Sequence, residues 1–168
     1  MSIQIGNLLP EGTLFESSGF DEDHGCPLKP VAHLIPDITR DRKIVLFAVP
    51  GAFTPTCSAQ HLPGYVHHYE AFKAKGVDEI WCLSVNDAFV MAAWGRERGA
   101  TGKVRMMADG SATYTMAMGM QQDLTAKGMG IRSLRYAMVV VDGRITHLAM
   151  EPPGQFGIST AESVLAQL

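Results

Sequence analysis

The chain has 168 residues, 46% of them hydrophobic and 18% charged, the profile of one globular domain spanning residues 1–168 and not of a disordered, fibrous or repeat protein. A formal net charge of −3 without a run of like charge marks no surface for a phosphate backbone, so nucleic acid is not an expected partner. No apolar run approaches the roughly 18 residues of a membrane span, and MSIQIGNLLPEG lacks the parts of a signal peptide, so no membrane partner and a cytoplasmic location are expected.

In chain order, TLFES from Thr13 is a short alternating stretch among turn signals and predicts an edge hairpin or lead-in strand. KIVLFAVP from Lys43 is a continuous apolar run ended by Pro50-Gly51, the pattern of a strand buried on both faces of a parallel sheet. From Pro55 to Lys75, Leu62, Tyr65, Val66, Tyr69 and Phe72 recur at spacings of three and four, predicting an amphipathic helix that stops at Gly76 and kinks at Pro63. EIWCLSV from Glu79 is a second buried strand, and Asp87 is placed to cap a helix ending at Gly99. A third strand follows in KVRMMAD, then a short helix over Ser111 to Met118. RYAMVVV and RITHLAM are joined by Asp142-Gly143, a dipeptide suited to a tight hairpin. Ser159 with Glu162 reads as a capping box opening a C-terminal helix. The order predicts an α/β fold with a mixed central sheet and helices on both faces.

The three cysteines, Cys26, Cys57 and Cys82, contain no C-x-x-C pair and are too few for a disulfide framework. Cys57 is set apart by Thr54-Pro55-Thr56 before it, which reads as a helix start with Thr54 as N-cap and Pro55 at the first helical position. First-turn N–H groups lack helical partners and the dipole is positive there, so a thiolate is favoured over a thiol. The competing reading is a small buried apolar residue; the first-turn position favours reactivity.

VPGAFTPTCSAQHLPGY, CLSVNDAFVMAAWG, MADGSATY and RSLRYAMVVVDG together resemble the type II (type five) subfamily of peroxiredoxins, from Leu34 nearly to the end. The pattern Pro-x-x-x-Thr-x-x-Cys is present as Pro50, Thr54 and Cys57. The resemblance implies a thioredoxin-like fold and a thiol peroxidase for hydrogen peroxide and organic hydroperoxides. By the same resemblance Cys57 is the peroxidatic thiolate, Thr54 points its hydroxyl at the thiolate and the peroxide, Pro50 shields the pocket, and Arg135 places a guanidinium beside the sulfur. Arg132 is the less favoured arginine, and a solvated strand-edge role for Arg135 stays open. So does the choice for Thr54 between helix cap and catalytic hydroxyl.

Many relatives resolve the sulfenic acid with a second cysteine in the region matching GQFGIST, where this chain has none. Cys82 reads as a packed thiol in an apolar strand, and Cys26, beside Asp21, Glu22 and Asp23, as incidental. The resemblance therefore implies an external reductant, glutathione with glutaredoxin or else thioredoxin, and a homodimer. No cofactor is expected. A metal or Cys-His hydrolase site built from Cys57, His61, His67 and His68 has weak spacing, and the ten methionines read as core filling. The alternative from another class is a thioredoxin-fold sensor or binding module forming mixed disulfides with a partner; the missing C-x-x-C weighs against a general disulfide oxidoreductase.

Overall fold

The structure is a computed structural model that describes residues 2–168. Seven strands form one sheet, in the order Arg144–Met150, Tyr136–Val141, Lys43–Ala48, Glu79–Ser84, Val104–Ala108, Thr13–Glu16 and Val31–Leu34. Lys43–Ala48, Glu79–Ser84 and Val104–Ala108 run parallel to their neighbours within this trio. The strands outside the trio pair antiparallel.

The apolar run from Lys43 explains its central place. Val45, Phe47 and Val49 point into one core and Ile44, Leu46 and Ala48 into the other, all buried. Side chains alternate across a strand, so only a strand covered on both faces can be apolar at every position. Glu79–Ser84 repeats this, with Ile80 and Cys82 on the first face and Trp81 and Leu83 on the second. Each of the buried Val, Ile, Leu and Phe side chains among them contributes roughly 1.5–3 kcal/mol. Leu62, Tyr65, Phe72, Met91, Trp94 and Val164 cover the first face from four helices; Ile35 and Tyr114, from two short helices, cover the second.

The local signals meet different outcomes. Asp87 caps the Ala88–Glu97 helix by accepting from Val90 N–H at 2.9 Å. Asp142 and Gly143 both take positive φ, 48° and 74°, as a tight hairpin of matching twist requires. Thr13–Glu16 lies one strand in from the edge, which Val31–Leu34 occupies.

Two expectations need correction. The C-terminal helix is Ala161–Leu165 and its cap is Thr160, which accepts from Ser163 N–H at 3.2 Å; the hydroxyl of Ser159 is instead donated to Glu151 at 2.9 Å. The helix expected from Pro55 to Lys75 is not continuous: a π-helical turn at Cys57–His61 leads into Leu62–His67, and a break at His68 precedes Tyr69–Ala74. Leu62 N–H bonds Cys57 C=O five residues back. The wider turn, one residue ahead of Pro63, makes room for a ring that an α-helix would press against the carbonyl four residues back. Among the described residues no helix is long and apolar enough to cross a membrane.

Candidate active site

The loop that delivers Cys57 leaves the end of a central strand and is pinned at each step. Val49 N–H still bonds Leu83 C=O at 3.0 Å, and Pro50-Gly51 then ends the pairing. Gly51 lets Arg132 approach closely: a Cβ there would stand 2.8 Å from Arg132 Nη1 and 3.2 Å from Thr54 Cγ2, so the guanidinium would have to shift. Ala52 N–H donates to Asn86 Oδ1 at 2.9 Å, and Asn86 is itself held by Ser84 Oγ at 2.6 Å. Phe53 is forced to a left-handed φ of 62°, a strained conformation for a bulky residue that concentrates at functional loops.

Thr54 stands at the helix start, its carbonyl accepting from Ser58 N–H at 2.9 Å. Its hydroxyl is not a cap: Oγ1 donates to Gly51 C=O at 2.7 Å. With its proton committed, the hydroxyl offers only lone pairs, so it can accept from a peroxide O–H but does not donate to a thiolate. A cap would use those lone pairs to accept from a first-turn N–H, but the only hydrogen bond of the Thr54 hydroxyl among the described residues is the one it donates to Gly51, so the cap reading is set aside, and the sense of the hydrogen bond expected toward the sulfur is reversed.

Cys57, in the first turn, has no solvent exposure, and its Sγ accepts from Arg135 Nη2 at 3.3 Å. Arg135 lies just ahead of the Tyr136–Val141 strand, antiparallel to the strand that feeds the Cys57 loop, so sheet pairing brings together residues 78 positions apart. Its Nη1 donates to His61 Nδ1 at 2.9 Å. Arg132 is elsewhere: its Nε donates to Met129 C=O at 2.8 Å and its Nη1 to Pro50 C=O at 3.4 Å, bracing the Pro50-Gly51 turn. Pro50 is half-buried beside it.

His61 is the site residue that sequence reading did not place. It stands one turn beyond Cys57, 1% exposed, and its Nε2 lies 3.0 Å from Ser159 C=O. A carbonyl only accepts, so the proton is on Nε2 and Nδ1 is the acceptor for Arg135. Burial first and the charge of Arg135 second hold its pKa down to about 3, against the bond to Ser159, which favours the charged ring. A neutral imidazole therefore supports the guanidinium. Among the described residues no carboxylate is ion-paired with Arg135, so its positive charge stays directed at the sulfur. The ring of Phe156 covers the pair, 5.6 Å from the guanidinium carbon and 4.9 Å from the imidazole centre. The sequence signal available for His61 was its spacing of four from Cys57 on a helix.

The other candidates lie apart or are chemically idle. Cys82 packs in the same core as Cys57, and burial first, with the neighbouring Cys57 charge second, pushes its thiol well above the usual range. Cys26 is exposed in a small hairpin of Phe20–Asp21 with Cys26–Pro27. His67 is exposed and His68 bonds Glu162 at 2.9 Å, so these two histidines do not converge with His61.

The chain matches the Redoxin family model over residues 4–165. It is 43% identical to Peroxiredoxin-2B of Arabidopsis thaliana over 166 residues, covering 99% of this chain and 98% of that one. Among solved structures it is similar to reduced Prx3 of Vibrio vulnificus in complex with hydrogen peroxide, at 45% identity and TM-score 0.89, covering 98% of each chain. A Burkholderia cenocepacia structure with the provisional name of a thioredoxin reductase is 58% identical, with TM-score 0.92, and covers 100% of this chain and 99% of its own. That name stays with that protein. The curated relatives and the Vibrio structure agree on another, and the thioredoxin-like fold with one thiol held against an arginine agrees with them. This chain belongs to the redoxin family, as a type II peroxiredoxin, a thiol peroxidase that works through a peroxidatic cysteine.

Proposed function

We propose that Cys57 is the peroxidatic residue, that it reduces hydrogen peroxide and organic hydroperoxides, and that an external thiol, glutathione with glutaredoxin or else thioredoxin, restores it. The observation that carries this reading is the 3.3 Å contact from Arg135 Nη2 to the buried Cys57 sulfur. The Vibrio relative's structure holds hydrogen peroxide, which supports a small hydroperoxide as substrate.

The thiolate attacks the terminal peroxide oxygen in line; an S–O bond forms, the O–O bond breaks, and its electron pair leaves on the distal oxygen as hydroxide or alkoxide. Arg135 binds the negative charge before and after this transfer, and its neutral partner leaves that charge undiluted. Thr54 accepts the peroxide O–H, Pro50 limits water, and a proton from solvent completes water or alcohol. Cys57 is left as a sulfenic acid. A thiol RSH displaces its hydroxyl as water to give a mixed disulfide, and a second thiol attacks that disulfide to release the thiolate and RSSR.

The other two cysteines support the external route, since Cys82 is buried with a raised pKa and Cys26 sits on a separate hairpin. A reducing cytoplasm suits such a cycle. A homodimer agrees with the exposure of Phe53, in the loop that leads to Cys57, and of Phe89, in the first turn of the Ala88–Glu97 helix. Intact-protein mass after one equivalent of peroxide and then glutathione tests the reductant: a glutathione adduct on Cys57 is expected, and an internal disulfide would refute the external route. Sustained consumption of peroxide with glutathione and glutaredoxin separates an enzyme from a sensor, which is oxidised once and stalls.

A further inference from the structure

The strand Arg144–Met150 runs into a loop, 152–158, rich in proline and glycine, before the helix Ala161–Leu165. Such a sequence has little intrinsic reason to keep one conformation, yet Ser159 at its end has no exposure. Glu151 supplies the constraint. Its N–H donates to Arg135 C=O at 3.0 Å, which places it across the backbone from the active-site arginine. Its carboxylate is buried, and Oε1 accepts from Gly157 N–H at 2.7 Å, Ser159 N–H at 2.8 Å and Ser159 Oγ at 2.9 Å. Burial alone would raise its pKa, but the donors from Gly157 and Ser159 outweigh it and hold the carboxyl below the usual range.

The loop so fixed presents Ser159 C=O to two groups of the helical segment, His61 Nε2 at 3.0 Å and Tyr65 Oη at 2.8 Å. That carbonyl decides the tautomer of His61. If the proton moved to Nδ1, it would face an N–H of Arg135 donor to donor, and the guanidinium would have to turn from the position in which Nη2 reaches Cys57.

We propose that Glu151 is a positioning residue for the peroxidase reaction: it fixes the Gly157–Ser159 segment, the Ser159 carbonyl sets His61, and His61 aims Arg135 at the Cys57 sulfur. The inference rests on the reading of Cys57 as the nucleophile. Glu151 does not touch the sulfur, and its effect passes through four consecutive hydrogen bonds, Glu151 to Ser159, Ser159 to His61, His61 to Arg135 and Arg135 to Cys57, whose donors and acceptors are each fixed by chemistry.

The test uses the full chain as wild type, Cys57→Ser, Glu151→Ala, Glu151→Gln and Ser159→Ala. It measures single-turnover oxidation by hydrogen peroxide, the ultraviolet absorbance of the Cys57 thiolate against pH, and unfolding by urea. Glu151→Ala is expected to slow oxidation by about 10- to 100-fold, the scale of small misplacements in active sites, and to move the thiolate titration to higher pH while the protein is folded. Glu151→Gln, whose Oε1 still accepts, is expected to stay within about threefold of wild type, and Ser159→Ala, which loses one of the three donors, to fall between. A Glu151→Ala protein that unfolds at lower urea but keeps the wild-type rate and titration would show a structural role only and overturn the proposal. If Glu151→Ala does not fold, Ser159→Ala decides: slower oxidation with the same titration shift supports positioning, and wild-type values overturn it. Peroxide consumption retained by Cys57→Ser would sink the underlying reading of Cys57, and this inference with it, whatever Glu151→Ala shows.

Discussion

Arg135 and His61 meet through one hydrogen bond of 2.9 Å in which the guanidinium donates and a buried, neutral imidazole accepts. A carboxylate in the same place would orient the arginine as well but would cancel the charge that the sulfur and the departing oxygen need. The arrangement uses both forks of the guanidinium, one for support and one for chemistry.

Arg135→Lys tests that division. Lysine keeps the charge but is a point donor that cannot span His61 and Cys57 at once. Oxidation of Cys57 by peroxide is expected to slow by about 100-fold or more, the scale on which a positioned donor is lost from an active site, with unfolding by urea little changed. A rate within a few-fold of wild type would show that charge alone suffices.

Acid should destabilise the protein through His61. Its pKa is about 3 when folded and 6.5 when free, so between these values the unfolded chain binds a proton that the folded chain does not. Stability is full above about pH 6.5 and falls as the pH is lowered through the window, by roughly 1.4 kcal/mol per unit from this residue. Urea unfolding of wild type and His61→Gln at pH 7 and pH 5 checks it: the variant, which has no proton to take up, should lose less. Equal losses would contradict the assignment.

Thr54 separates into two substitutions. Thr54→Ser keeps a hydroxyl that can donate to Gly51 and accept from the peroxide, and most of the rate should survive. Thr54→Val loses both and leaves the Gly51 carbonyl only its longer bond from Thr54 N–H, at 3.4 Å, at a cost of about 0.5–1.5 kcal/mol, and with no hydroxyl to accept from the peroxide, oxidation should slow by at least tenfold. Stopped-flow oxidation of the two variants distinguishes them. Equal rates would remove Thr54 from the chemistry.

Cys82→Ala and Cys26→Ser address resolution. Both should sustain turnover with glutathione and glutaredoxin at close to the wild-type rate, and Cys82→Ala should lose about 1 kcal/mol of stability from the small void it leaves in the core. Loss of turnover in either, with Cys57 oxidation intact, would assign that thiol as the resolving one.

Much of the fold was legible because its signals are local. The apolar run from Lys43 has to be covered on both faces, Asp87 needs only a first-turn N–H three residues on to cap a helix, and Asp142-Gly143 needs only its own positive φ. The π turn at Cys57–His61 was not legible, because a widened turn is settled by how Pro63 and the packed side chains share space. The capping box failed by one residue for a tertiary reason: Glu151 takes the Ser159 hydroxyl, and Thr160 is left to cap. His61 shows the same limit within the site. Its spacing from Cys57 was visible, but its role depends on a carbonyl 98 residues away and on an arginine delivered by another strand.

The most direct measurement is peroxide consumption by Cys57→Ser beside wild type, each with glutathione and glutaredoxin and with folding checked by circular dichroism. The account predicts steady consumption by wild type, with a trappable sulfenic acid on Cys57, and none above background by a folded Cys57→Ser. Consumption by that variant at a rate comparable to wild type would contradict it.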